Sequence, residues 1–75
     1  MKSSDEITKR IKENVAFTLN NLMYKLMMTQ KDCSELLGIP QGRLSKYLNK
    51  REMPRIDTLQ KIAKHAGVTI DSLCN

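Results

Sequence analysis

Residues Thr29 to Asn49 read TQKDCSELLGIPQGRLSKYLN, and their order of caps, apolar positions and turn residues decides the fold. Thr29 is a helix cap, and the helix after it runs from Gln30 to Leu37 with Cys33, Leu36 and Leu37 on its inner face. Gly38 stands where a helix end calls for a left-handed residue. Ile39 is the apolar residue of the turn. Pro40 suits the start of the next helix, because its missing N–H would be unpaired there anyway. That helix spans Gln41 to Asn49 with Leu44, Tyr47 and Leu48 facing inward. Gly42, Lys46 and Asn49 point away from this apolar arc, Arg43 and Ser45 flank it, and Gln41 lies at the tip. A short helix held by apolar contacts, with a polar and cationic face turned outward, has the chemistry needed to enter a DNA major groove.

Upstream, Ser3 and Ser4 offer caps, and Asp5 and Glu6 place acids in a first helical turn, where they meet the helix dipole. Ile7, Ile11, Val15, Leu19, Leu22, Met23 and Leu26 then recur at three- and four-residue spacing, which predicts one amphipathic helix over about 4–27. The helix is longer than so small a core requires, and a break near Asn20-Asn21 stays open. Downstream, 49–55 is a polar loop ending near Pro54. A fourth helix is predicted from Ile56 to Ala66, with Ile56, Leu59, Ile62, Ala63 and Ala66 inward and Gly67 as its stop. Thr69 caps a last turn in which Ile70 and Leu73 pack back.

Seventy-five residues make one domain with one small core. Three Gly, two Pro and three aromatic residues, among periodic Leu, Lys, Met, Ile and Glu, favour an all-α fold over a sheet. The formal charge is +5 and uneven. Residues 1–28 carry five bases and three acids, 29–55 carry six and three, and 56–75 are balanced. The excess centred on the helix pair suits a polyanion. Cys33 and Cys74 make no disulfide framework: one falls at an inward helical position and the other beside the C-terminus. No signal peptide or membrane-length apolar run is visible, so a soluble protein in a reducing cytoplasm is expected.

The combined register resembles the Cro/repressor-type (Xre-like) helix-turn-helix family over about Val15 to Leu73. Its markers are Thr29-Gln30, Ser34, Leu37-Gly38-Ile39, Leu44-Ser45, Lys50-Arg51 before Pro54, Ile62-Ala63, Gly67-Val68, Asp71 and Leu73. The resemblance implies a compact five-helix, lambda-repressor-like DNA-binding domain with its helix-turn-helix at about 30–49. It also implies a prokaryotic or phage transcriptional regulator, a repressor, reading operator DNA through helix 41–49. By position, Gln41 becomes the first base reader, its amide suited to adenine N6 and N7. Lys46, one turn on, would approach base edges or a phosphate, with Arg43 and Ser45 beside it. Gln30 would bond a phosphate at the second helix's N-terminus and brace Gln41. Lys50 and Arg51 would meet the DNA backbone after the recognition helix. Arg55 is a looser candidate for a minor groove.

Four departures from the family pattern stand out. Gly42 replaces a side chain that often reads bases, allowing closer backbone approach instead. Cys33 replaces a Leu. Met27 stands where Gly often ends the first helix, and Lys50 where Gly commonly follows the third; Asn49 is expected to take the left-handed conformation in place of Lys50.

Because one helix-turn-helix reads only a few base pairs, two copies on a near-palindromic operator are expected, hence a homodimer at least on DNA. The loop at Met53 and Pro54, the C-terminal turn and the N-terminal helical extension are its candidate contacts. A second reading is an antitoxin-like protein-interaction module that binds a partner through the long N-terminal helix. Enzymatic chemistry finds little support. The single His65 lies near a helix C-terminus, and no phosphate loop, paired carboxylates or metal-ligand spacing occur, so neither metal nor cofactor is expected.

Overall fold

A computed structural model describes residues 4–75. Five helices form among them: α1 (Ser4–Lys25), α2 (Gln30–Leu37), α3 (Gln41–Leu48), α4 (Ile56–Ala66) and α5 (Ile70–Cys74). The fold is all-α, with a radius of gyration of 11.7 Å, against the roughly 11 Å typical of a compact chain of this length. Of the expected N-terminal caps, Ser3 lies outside the described residues and Ser4 is the first residue of α1.

α1 is continuous for 22 residues. At 1.5 Å per residue it is about 33 Å long, which accounts for most of the molecule's 39 Å long axis. No break opens at Asn20-Asn21. The Asn20 amide donates instead to the Ala16 carbonyl of the preceding turn (2.9 Å). Ile11, Val15, Ala16, Leu19 and Leu22 are buried where α1 lies against α3, α4 and α5. Ile7 and Leu26, both expected on this face, are 47% and 55% exposed. The helix outruns the three elements it rests on, and Leu26 lies beyond its last residue.

Two other inward assignments are corrected. Leu36 is 42% exposed because the buried arc of α2 is centred on Cys33, Ser34 and Leu37, about a quarter-turn away. Ile56 is 61% exposed at the open first turn of α4, whose buried residues are Leu59, Ile62 and Ala63. The core closes on Val15, Leu19, Cys33, Leu44, Ile62 and Leu73, contributed by all five helices. Each large apolar side chain buried there stabilises the fold by roughly 1.5–3 kcal/mol.

Four helices end in one way. Met27, Gly38, Lys50 and Gly67 all adopt positive φ, at 53°, 67°, 61° and 71°. The N–H of the following residue then reaches back five positions, from Met28 to the Met23 carbonyl, Ile39 to Ser34, Arg51 to Lys46 and Val68 to Ala63. Two of the four sites thus use a side-chain-bearing residue where glycine is favoured. At the end of α3 the left-handed residue is Lys50 itself. Asn49 stays at φ −94°, correcting the expectation that it would take that role. Its side chain is engaged elsewhere, with the amide donating to the Ser45 carbonyl at 2.9 Å.

Candidate nucleic-acid interface

The α2–α3 unit is held by local hydrogen bonds as well as by packing. Thr29 Oγ1 accepts from the Asp32 N–H (3.1 Å), while the Thr29 N–H donates to Asp32 Oδ2 (3.2 Å). This reciprocal cap satisfies two groups at the exposed start of α2. At the other end Gly38 turns the chain, and the N–H groups of Gly38 and Ile39 both donate to the Ser34 carbonyl. The Ser34 hydroxyl in turn donates to the Ile39 carbonyl. Among the described residues, Ser34 is the polar side chain buried with the core, and this bond satisfies it inside the turn. Ile39 is buried beside it. The entry to α3 is therefore defined by bonded groups within the turn.

α3 has eight residues, about 12 Å of helix, comparable to the roughly 12 Å width of the major groove of B-DNA. Leu44 is fully buried and Tyr47 is 3% exposed, and these two hold the helix on the domain. Leu48 packs against the core from its edge. Gln41, Gly42, Arg43 and Lys46 are exposed, and Ser45 is half-buried. A Cβ added at Gly42 would meet nothing within 4 Å, and its φ is not positive. Neither packing nor backbone conformation calls for glycine there.

The remaining candidate residues lie around this helix. Gln30 is exposed at the first position of α2, and Arg51 is exposed after the turn at Lys50. No hydrogen bond joins Gln30 to Gln41 among the described residues. Lys50 lies beside α1: together with Lys9, Lys12, Asp5 and Glu13 it lines one surface depression, and with Asn14, Phe17 and Leu48 another. The candidate residues thus form a central group on α3, with Gln30 on one side and the Lys50-Arg51 turn at its far end.

Glu52 belongs to the same surface and carries no sequence signal, being an acid in an aperiodic loop. Its Oε2 lies 3.6 Å from Arg43 Nε. That atom is shielded from solvent and accepts no hydrogen bond, so the contact is an ion pair beyond hydrogen-bonding distance. α1 also carries two exposed aromatic side chains. Phe17 and Tyr24 are 68% and 88% exposed on the side of the helix away from its buried residues.

A helix-turn-helix family matches residues 21–73, which is more than half of the chain and includes every element from the end of α1 to α5. The chain belongs to the Cro/repressor-type (Xre-like) helix-turn-helix family. No curated protein and no solved structure gives a match. The family is one of DNA-binding transcription regulators and is not typically enzymatic, so DNA is the partner that this helix-turn-helix domain meets. α1 up to Asn20 lies outside the matched region. Among the described residues of the helix-turn-helix domain, no cluster of His, Cys, Asp and Glu is arranged to hold a metal. No described helix is long and apolar enough to cross a membrane. His65 is exposed, with Nδ1 2.9 Å from the Lys61 carbonyl of its own helix.

Proposed function

We propose that the chain acts as a single domain that reads a specific double-stranded DNA operator and represses transcription in the cytoplasm. α3 enters the major groove. Gln41 addresses an adenine edge, and Arg43 and Lys46 address guanine edges or the phosphates beside them, with Ser45 at the flank. Gln30, Lys50 and Arg51 contact the sugar-phosphate backbone and set the register. The observation that carries this reading is the division of α3 into a buried Leu44–Tyr47 side and an exposed Gln41–Gly42–Arg43–Lys46 side. Gly42 supports it, since its lack of a side chain serves no need inside the fold.

Two copies bind a near-palindromic site, with half-sites about 34–36 Å apart. Pro54 is buried within the chain, so Met53 is the apolar residue that the α3–α4 loop offers to a second copy. A second reading, a protein partner bound on α1, is favoured by the outward Phe17 and Tyr24, residue types enriched at protein interfaces. Selection of sites from random duplex DNA tests the main reading. A motif with two related half-sites is expected. A folded protein that enriches no motif and binds all duplexes weakly contradicts it.

A further inference from the structure

We infer that Glu52 is a positioning residue for Arg43: it holds the guanidinium by its Nε edge, so that Arg43 meets DNA with its two terminal amino groups and reads a guanine end-on. The inference rests on the reading of α3 as the groove-entering helix. Three observations carry it.

First, the pair is built by the fold. The left-handed turn at Lys50 (φ 61°) and the Arg51 N–H to Lys46 carbonyl bond (2.8 Å) double the chain back along α3. This return brings Glu52 to Arg43, two helical turns earlier. Second, the contact is asymmetric. Glu52 Oε2 is shielded from solvent and lies 3.6 Å from Nε, whereas the Arg43 side chain remains 53% exposed. The Nε edge of the guanidinium meets the shielded oxygen, and about half of the surface of the Arg43 side chain stays open to solvent.

Third, the chemistry selects a geometry. A guanidinium offers five N–H donors in a rigid planar fork, and a guanine presents O6 and N7 as paired acceptors. A carboxylate at Nε occupies the edge that would otherwise allow a sideways approach. The two Nη groups remain for the base. A carboxylate near DNA also repels phosphates, so Glu52 lowers affinity for every duplex while restricting how Arg43 binds. Discrimination gains from such a repulsive element as well as from the attractive one.

The test measures the affinity of five proteins for three duplexes. The proteins are the wild type, Glu52→Gln, Glu52→Asp, Arg43→Ala and the double variant of Glu52→Gln with Arg43→Ala. The duplexes are a selected site, the same site with its guanine pair under α3 replaced, and a random sequence. Glu52→Gln is expected to bind random DNA a few-fold more tightly and to lose roughly ten-fold of the preference for the guanine pair. In the Arg43→Ala background the same change is expected to leave that preference unaltered. Glu52→Asp keeps the charge but shortens the reach, and is expected to lose preference without gaining affinity for random DNA.

An equal rise on all three duplexes for Glu52→Gln would overturn the positioning role, leaving Glu52 as a surface charge. So would an undiminished effect in the Arg43→Ala background. A wild type that selects no duplex at all would instead overturn the DNA-reading function itself, which keeps the two failures distinct. Thermal unfolding of each variant shows that the compared proteins are folded.

Discussion

Asn14 of α1 donates a hydrogen bond from Nδ2 to the carbonyl oxygen of Leu73 in α5, 3.0 Å away across 59 positions of sequence. A helix of five residues cannot hold itself in water. α5 is held by this bond, by the 99% burial of Leu73 and by its own Thr69 cap, whose Oγ1 accepts from the Ser72 N–H at 3.1 Å. Asn14→Ala should therefore lower global stability by about 1 kcal/mol. It should also open α5 selectively, seen as faster amide hydrogen exchange in 70–75 than in α2 and α3. Equal loosening of all helices would show that the bond does not tether α5.

Met27 is 91% exposed and left-handed. Its side chain contributes little packing, while its backbone conformation is unfavourable by about 1–2 kcal/mol for any residue with a Cβ. Met27→Gly is expected to stabilise the domain by about 1 kcal/mol after the unfolded-state entropy of glycine is set against the gain. Thermal melting would register this as a rise of roughly 4–8 °C. Lys50→Gly should also stabilise the domain, while weakening binding to all DNA sequences alike through the lost cation. An unchanged or lower melting temperature in Met27→Gly would mean that the turn is held by contacts of the Met27 side chain.

Much of this architecture was legible in the order of residues, because its signals are local. Thr29, Gly38, Pro40 and Gly67 mark helix ends through backbone chemistry, and α2 and α4 run between the predicted bounds. The residues misassigned as inward, Ile7, Leu26, Leu36 and Ile56, share a cause. Periodicity gives the direction of a face but not how far neighbouring helices extend beneath it. The left-handed Lys50 was hidden for a different reason. Asn49 is the better intrinsic candidate, but the bonds it makes to Ser45 keep it in the helical register. For the interface, the outward residues of α3 could be named from the helical wheel. The Arg43–Glu52 pair could not, since it depends on a loop returning along the helix.

Gly42 separates fold from function most sharply. Glycine in an exposed helix costs about 0.5–1 kcal/mol relative to alanine, and open space surrounds the position where a Cβ would lie. Gly42→Ala is expected to raise stability by that amount in urea unfolding and to weaken binding to the selected duplex. Stability and affinity moving in opposite directions would place Gly42 against the DNA. If both rise, no close approach occurs there.

Burial raises the pKa of the Cys33 thiol. In the folded chain it therefore keeps its proton at pH values where the unfolded thiol has lost it. This contribution to stability is complete below the ordinary thiol pKa and is lost as pH rises from there through the raised pKa of the folded state. Denaturant unfolding should show the decline in the wild type and a smaller one in Cys33→Ala. A thiol reagent should modify the half-buried Cys74 promptly and Cys33 only on unfolding. Prompt reaction at both would contradict the closed core around Cys33.

The most direct test of α3 as the reading helix compares Gln41→Ala with Arg51→Ala on a selected duplex and on random DNA, across a range of salt. Gln41→Ala is predicted to lose about 1–3 kcal/mol on the selected duplex alone and to relax preference at one base pair. Arg51→Ala is predicted to weaken both duplexes equally and to make the salt slope shallower by about one unit. If Gln41→Ala lost the same affinity on both duplexes, α3 would not be reading bases, and the central claim would fail.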